Sequence, residues 1–90
     1  MSKRMVKKAI QILEEDGWCK HRLHNSKGQH CVVGAIEEAK VRLAATDEEF
    51  FRTTHDLRLR LDNKWHGIDH WNDTRRRTYQ QVIDKLEELL

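Results

Sequence analysis

Apolar residues recur at helical spacing in four stretches of this chain. The predicted helices cover residues 2–16, 31–44 and 47–62, with a fourth that starts at residues 72–74 and continues to the C-terminus. In the first helix, apolar residues at i, i+3, i+4 and i+7 form one face. Those residues are Val6, Ala9, Ile10 and Leu13. The fourth helix has the longest apolar face, at Tyr79, Val82, Ile83, Leu86, Leu89 and Leu90.

Polar residues and glycines mark where these helices begin and end. Gly17 follows the first helix, at a position where glycine often terminates a helix. Thr46, with Glu49 three positions later, has the pattern of a capping box and predicts the start of the third helix. Asn72 and Asp73 are the predicted N-caps of the fourth helix, because their side chains accept hydrogen bonds from unpaired backbone N–H groups.

The connection between the first two helices is expected to be ordered. It covers residues 17–30 and contains a turn at residues 25–28. A short β-hairpin over residues 18–30 is one structure that such a turn supports. Trp18 and Leu23 are the apolar residues that would anchor this connection in the core.

The segment before the fourth helix is also expected to be ordered. It contains Trp65, Ile68 and Trp71, and burial of these large side chains predicts that the segment covers the core. On the second helix, Gly34 and Ala35 are small enough to let another element approach closely. A glycine inside a helix costs about 1 kcal/mol relative to alanine, so close packing is a physical reason for it.

These patterns together predict one all-α domain over residues 1–90, with four helices and ordered loops after helix 1 and before helix 4. The composition agrees with this fold class, because the chain has 38% hydrophobic residues, 36% charged residues and no proline. A chain of 90 residues has the length of a single small domain.

No apolar run approaches the about 20 residues that a membrane-spanning helix needs. The basic N-terminus is not followed by the apolar block of a signal peptide. We therefore expect a cytoplasmic protein without membrane association, in which Cys19 and Cys31 are thiols and not a disulfide. The net charge of +2 does not by itself indicate a nucleic-acid partner.

Three blocks of residues resemble a family of short actinobacterial and phage proteins of unknown function. The blocks are Trp18-Cys19, then Gly28 to Ile36 with Cys31 and the pair Gly34-Ala35, then Trp71-Asn72-Asp73 with Thr78. They occur in the order of the family and span residues 18–82. The resemblance implies a shared framework of Trp18, Cys19, Cys31, Gly34, Ala35, Trp71, Asn72, Asp73 and Thr78. It also implies a phage or phage-related origin and a role directed at the host. It implies no activity, and the histidines lie outside the pattern.

Five residues that commonly bind metals lie within thirteen positions. They are Cys19, His21, His24, His30 and Cys31. Zinc takes four ligands of these types in a tetrahedron, so a zinc-binding loop is one hypothesis. However, the spacing matches no standard zinc module, and buried thiols beside exposed histidines would account for the same residues. We favour this second interpretation, with no cofactor.

A cysteine nucleophile is another hypothesis. Cys31 lies where the second helix is predicted to begin, and a helix N-terminus lowers the pKa of a thiol. His70 with Asn72 or Asp73 would then supply a base and the group that orients it. The alternative is that Asn72 and Asp73 cap a helix and that His70 lies at the surface. We favour this alternative because the chain contains no established nucleophile motif.

A basic cluster supports a nucleic-acid hypothesis. Arg75, Arg76 and Arg77 lie in the predicted first turn of the fourth helix, where the helix dipole disfavours positive charge. The first helix carries a second basic group, made of Lys3, Arg4, Lys7 and Lys8. If these two helices pack side by side, the residues form a surface that could contact phosphates. The alternative is a solvated face whose arginines pair with nearby acids.

Aromatic content favours protein binding over these alternatives. Tryptophan is enriched at interface hot spots, and three tryptophans are many for the core of a 90-residue chain. Trp65 or the terminal pair Leu89–Leu90 would then contribute to an exposed apolar patch or to a homodimer contact. The favoured hypothesis is a small accessory or phage protein that binds a host macromolecule, in the host cytoplasm if the protein is phage-encoded. A host protein is the preferred partner, followed by nucleic acid at Arg75–Arg77, a zinc loop and a cysteine-dependent enzyme.

Overall fold

A computed structural model describes residues 3–62 and 67–90, and the regular structure in these two ranges is α-helical. The helices are α1 (Lys3–Asp16), α2 (Val32–Leu43), α3 (Asp47–Leu59), α4 (Gly67–Asp73) and α5 (Tyr79–Glu87). The all-α prediction is confirmed. The first three helices begin and end within a few residues of their predicted bounds.

The C-terminal part differs from the prediction in two ways. The helix α4 forms in the segment that was expected to be an ordered loop, and the last helix, α5, begins at Tyr79 and not at residues 72–74. Asn72 and Asp73 do not cap the last helix; they end α4. The N-cap of α5 is Thr78, whose hydroxyl accepts a hydrogen bond from the Gln81 amide, while the Gln81 side chain accepts one from the Thr78 amide. This reciprocal capping box satisfies two N–H groups that would otherwise be unpaired. The expected N-cap position was therefore wrong by about one and a half turns.

The core lies between the helices and contains apolar side chains from each of them. Its buried members are Met5, Val6, Ala9, Ile12, Leu13, Val32, Ala35, Ile36, Ala39, Leu57, Leu61, Ile68, Trp71, Val82, Ile83, Leu86 and Leu89. The interface between α1 and α2 is the most extensive. Trp71 is only 2% exposed, so the prediction that α4 and its flanking residues cover the core is confirmed at this residue. Trp65 lies outside the described residues.

The capping predictions for α1 and α3 agree with the structure. Gly17 follows α1 with a φ of 95°, and its amide donates to the Leu13 carbonyl. At α3, the Thr46 hydroxyl accepts a hydrogen bond from the Glu49 amide at 3.1 Å. The Glu49 carboxylate pairs with Arg4 of α1 at 2.8 Å, which ties the start of α3 to the first helix.

The connection between α1 and α2 contains isolated β-bridges, and the described residues include no β-strand. His30 pairs in parallel with Trp18 and antiparallel with His24. The turn at residues 25–28 is present and is flanked by the antiparallel bridge between His24 and His30. A hairpin with strands over residues 18–30 is not formed, because Trp18 and His30 run in the same direction. Trp18 is half-buried against the core, as expected. Leu23 is 45% exposed, so it is not the apolar anchor that was predicted.

Gly34 explains why the backbone of this connection, and not the Leu23 side chain, meets α2. A Cβ atom at Gly34 would overlap the carbonyl oxygen of Leu23. That same oxygen accepts a hydrogen bond from the Cys31 amide at 3.1 Å, which fixes it against the start of α2. The predicted close approach at Gly34 is confirmed, and the approaching element is the connecting loop. No helix in the described ranges is long and apolar enough to cross a membrane.

Candidate functional site

The framework residues converge on the side chain of Asn72. Asn72 is fully buried, and its Oδ1 accepts hydrogen bonds from Trp18 Nε1 at 2.6 Å and from the Val32 amide at 3.0 Å. Its Nδ2 donates to the Cys19 carbonyl at 3.1 Å and to Asp73 Oδ1 at 3.0 Å. Both acceptor sites and both donors of the amide are therefore used. We call these five residues the Asn72 cluster.

The Asn72 cluster joins three parts of the molecule. Trp18 and Cys19 belong to the loop after α1, Val32 begins α2, and Asn72 and Asp73 end α4. Asp73 extends the cluster, because its Oδ1 accepts a hydrogen bond from the His21 amide at 2.8 Å. A buried, fully satisfied network of this kind specifies how elements are arranged. We conclude that these sequence blocks hold the fold together.

The two cysteines do not have the properties of an activated nucleophile. Cys31 is 4% exposed, and it is the N-cap of α2, where its Sγ accepts a hydrogen bond from the Gly34 amide at 3.3 Å. Burial raises the pKa of the Cys31 thiol and outweighs the hydrogen bonds from the backbone that lower it. Burial is also the largest cause that raises the pKa of Cys19. Asn72, one of the suggested orienting groups for His70, uses its amide within the Asn72 cluster instead.

The five suggested metal ligands are not brought together as one set. Within residues 3–62 and 67–90, no group of three or more His, Cys, Asp and Glu side chains is placed to hold a metal ion. Cys31 caps α2, and Cys19 Sγ donates to the Arg22 carbonyl at 3.4 Å. His21 is exposed, and its Nδ1 lies 3.8 Å from Asp73 Oδ2.

His24 and His30 do meet. Their Nδ1 atoms are 2.7 Å apart, and the two rings are almost perpendicular. On its other side, His30 Nε2 lies 2.8 Å from Asp16 Oδ2, and Arg42 contacts the same oxygen at 3.3 Å. The hydrogen bond from His30 is the main cause that lowers the pKa of Asp16 below its usual value. We call His24 and His30 the histidine pair, with Asp16 behind it.

The three arginines after α4 have different roles. Arg77 is largely buried: its Nε donates to the Trp71 carbonyl at 3.0 Å, and its guanidinium lies 4.0 Å from the centre of the Trp71 ring. Arg75 and Arg76 are exposed. They precede α5 and do not lie in its first turn, so the expected conflict with the helix dipole does not arise. The triplet is therefore not a uniform basic patch.

The lysines expected to join this cluster lie on α1. Lys7 is exposed, and Lys8 donates to Gln11 Oε1 of the same helix at 3.1 Å. Lys20, which the sequence did not single out, lies closer to the arginines, because its Nζ donates to the carbonyls of Thr74 and Arg75. The positive charge near Arg75 thus includes a residue of the loop after α1.

An open groove runs along α3 in the described part of the chain. Its volume is about 1150 Å³, and its apolar lining consists of Leu23, Val33, Phe50, Phe51 and Ile68. Phe51 is 66% exposed, and the rings of Phe50 and Phe51 meet edge to face at 5.6 Å. We call this surface the α3 groove. The patch predicted at Leu89–Leu90 is not formed, since Leu89 is buried and only Leu90 is exposed.

Sequence reasoning missed the α3 groove as a site, although one signal was present. The buried stripe of α3 passes through Thr53 and Leu57, and Phe51 lies off that stripe. A large aromatic side chain beside the buried stripe of an amphipathic helix is a candidate contact residue. Leu23 carried no such signal, because its exposure depends on which part of the loop faces α2.

A protein-family model, described as a family of unknown function (DUF6197), matches residues 2–89 of the chain. No curated protein and no solved structure matches the chain. The comparisons therefore supply no activity for the chain.

Proposed function

We propose that this chain, which belongs to the family DUF6197, acts by binding a protein partner in the α3 groove. The observation that carries this proposal is the exposure of Phe51 and Leu23, at 66% and 45%, on two sides of one concave surface. Contiguous exposed apolar surface on a small protein is characteristic of interaction sites. Aromatic side chains at the centre of a pocket supply much of the affinity in such sites.

The α3 groove is preformed, which favours binding. Leu23 is held by the hydrogen bond from the Cys31 amide to its carbonyl and by the packing of that carbonyl on Gly34. Phe50 and Phe51 lie on the first turns of α3, whose start is fixed by the Thr46 cap. A surface that is already ordered loses less conformational entropy when a partner binds.

The edge of the groove is charged. Glu48 and Arg52 form an ion pair at 2.7 Å beside Phe51, and Asp56, Arg58 and Asp69 are the other charged residues of the lining. An apolar centre with a polar rim is the usual anatomy of a protein interface. Both signs of charge occur here, so the rim does not select a strongly acidic or strongly basic partner.

The second candidate is nucleic-acid binding at Arg75 and Arg76, which are exposed on the turn before α5. Two features make it the weaker one. Arg77 is used within the fold on Trp71, and the net charge of the chain is only +2. The resemblance to actinobacterial and phage proteins supports a role toward a host, so an actinobacterial lysate is the appropriate source of partners.

Photo-crosslinking tests the proposed surface directly. A benzophenone amino acid is placed at Phe51 and, as the matched control, at Val41, which is 72% exposed on α2 and does not line the groove. After nuclease treatment of the lysate, we expect one protein to crosslink from position 51 and not from position 41. Phe51→Glu should reduce its capture at least about tenfold, since a hot-spot residue contributes more than about 1.4 kcal/mol.

Val41→Glu should leave that capture unchanged. Urea titration of both variants checks that each remains folded, since both positions are exposed. Equal capture by the two variants would refute the α3 groove as the contact surface. Loss of partners on nuclease treatment, together with weaker capture by Arg75→Ala and Arg76→Ala, would instead support the nucleic-acid candidate.

A further inference from the structure

The geometry of the histidine pair points to an open binding site for a divalent transition-metal ion. The two Nδ1 atoms of His24 and His30 are the donors, and Asp16 orients His30 from behind. This inference is independent of the α3 groove, because no residue of the histidine pair lines that groove.

His30 is held in place by its backbone and by its ring. Its amide donates to the Gly17 carbonyl, and its own carbonyl accepts from the Cys19 amide. The residue is 7% exposed, and Asp16 Oδ2 contacts its Nε2 at 2.8 Å. Asp16 is in turn contacted by Arg42. His30 therefore presents its Nδ1 in one fixed direction.

The protonation pattern leaves Nδ1 of His30 as an acceptor. An ionised Asp16 can only accept a hydrogen bond, so Nε2 of His30 carries the hydrogen. In the neutral imidazole, Nδ1 then has a free lone pair, which is the form that binds metals. A carboxylate behind the distal N–H of a histidine ligand is the usual second-shell arrangement, since it fixes the tautomer and increases the basicity of the ligand.

His24 completes the site by a change of tautomer. In the hydrogen-bonded pair it donates from Nδ1 to Nδ1 of His30, so this hydrogen has to leave Nδ1 of His24 before that nitrogen can bind an ion. When the ion binds, the hydrogen on His24 moves to Nε2 and the exposed His24 ring turns, so that both Nδ1 lone pairs point at the ion. No oxidant or reductant is needed for this exchange. His24 is exposed, so the remaining coordination positions are open to water.

The type of donor favours one part of the first-row metal series. Imidazole nitrogen binds Cu²⁺ and Ni²⁺ well, and for a given set of ligands the affinity rises from Ni²⁺ to Cu²⁺ and is lower again for Zn²⁺. The 2.7 Å between the two Nδ1 atoms is the length of a hydrogen bond and describes the hydrogen-bonded pair. We therefore expect this site to bind Cu²⁺ more tightly than Zn²⁺.

The test combines calorimetry and spectroscopy on the untagged full-length chain. Titration with Ni²⁺, which thiols do not reduce, measures stoichiometry and affinity, and electron paramagnetic resonance with Cu²⁺ identifies nitrogen donors. We expect one ion per chain, nitrogen coupling in the Cu²⁺ spectrum, and weaker binding of Zn²⁺ than of Cu²⁺. His24→Gln should abolish the one-to-one binding step, because it removes one of two protein donors.

Two variants separate the site from non-specific binding. His21→Gln changes a nearby exposed histidine outside the pair and should bind Ni²⁺ like the wild type. Asp16→Asn keeps an oxygen acceptor without its charge, so we expect about 10- to 100-fold weaker Ni²⁺ binding with the nitrogen coupling preserved. Equal losses in His24→Gln and His21→Gln would overturn the inference. So would the absence of nitrogen coupling, or no binding at tens of micromolar Ni²⁺.

Discussion

At the scale of single residues, Asn72 has the most consequential side chain in this fold. Its amide makes four hydrogen bonds that link the loop after α1, the first residue of α2 and the end of α4. An asparagine followed by an aspartate before a helical pattern is a good N-cap signal, and that signal led to the wrong role. The residue was correctly singled out, but three of its four partners are 40 to 54 positions away in the chain.

Replacing Asn72 with aspartate should destabilise the protein by about 2–4 kcal/mol at neutral pH. The introduced carboxylate cannot donate to the Cys19 carbonyl, and it would be buried beside the carboxylate of Asp73. Because these neighbours raise the pKa of the new acid, the penalty should decrease as the pH is lowered and the acid becomes protonated. Urea denaturation at several pH values measures both effects.

Asn25→Asp is the matched control for this prediction. The Oδ1 of Asn25 accepts hydrogen bonds from the amides of Lys27 and Gln29, and a carboxylate keeps both. Its Nδ2 donates only to Gln29 Oε1, and the glutamine amide can rotate to donate in return. We expect a loss below about 1 kcal/mol. A comparable loss in both variants would contradict the central role assigned to Asn72.

At the scale of elements, the C-terminal region shows how capping residues can predict a helix start in the wrong place. Residues 67–73 and 79–87 are both helical, and a turn closed by the Arg77 amide and the Thr74 carbonyl separates them. The apolar spacing of α5 was detected, but α4 was expected to be a loop and the turn after it was expected to be helical. The reason is that several good capping residues follow one another, and only tertiary contacts decide which of them acts as the cap.

Thr78→Ala should cost about 1 kcal/mol, because it removes the hydroxyl that accepts from the Gln81 amide at the start of α5. Urea denaturation measures the loss, and hydrogen exchange of the amides in the first turn of α5 should accelerate most. Thr74→Ala removes a hydroxyl that donates to the His70 carbonyl at the end of α4, and should cost less than about 0.5 kcal/mol. A larger loss of stability for Thr74→Ala than for Thr78→Ala would contradict Thr78 as the N-cap and support a helix start at residues 72–74.

At the scale of the whole molecule, packing sorts similar residues into different roles. Trp71 is enclosed in the core, whereas Phe51 lines the α3 groove, although both are large aromatics. The three consecutive arginines divide in the same way. Arg77 packs on Trp71 and lies 4.0 Å from Asp62 near the end of α3, while Arg75 and Arg76 face solvent.

Arg77→Ala should therefore lower the free energy of unfolding by about 2 kcal/mol. The substitution removes a cation–π contact with Trp71 and a charged donor to the Trp71 carbonyl. Arg76→Ala changes an exposed neighbour of the same type and should remain within about 0.5 kcal/mol of the wild type. Urea denaturation, with tryptophan fluorescence as one probe, compares the two. Equal stability of both variants would contradict the structural role of Arg77.

Much of the fold was predictable because it depends on local periodicity. The apolar stripes of α1, α2 and α3, the stop at Gly17 and the cap at Thr46 each involve residues within one or two turns. A glycine inside a helix is costly, and for this reason Gly34 was predicted to allow another element to approach closely. The approaching group is the Leu23 carbonyl. The α3 groove depends on how distant segments meet, and Phe51 beside the buried stripe of α3 was its one signal in the sequence. His24 and His30 were grouped only as two of five possible metal ligands, and the structure decided that these two meet.

The sequence by itself determined the helical class, the bounds of the first three helices and much of the apolar stripe of each helix, because hydrophobic spacing and local capping act over a few residues. Only the tertiary structure decided that Asn72 joins three segments, that Thr78 starts the last helix, and that Phe51 remains exposed. Each of these depends on whether a polar side chain forms a hydrogen bond with a residue distant in sequence, or on whether an apolar side chain is buried by another segment. Such contacts join residues many positions apart, so they are decided when the segments pack together.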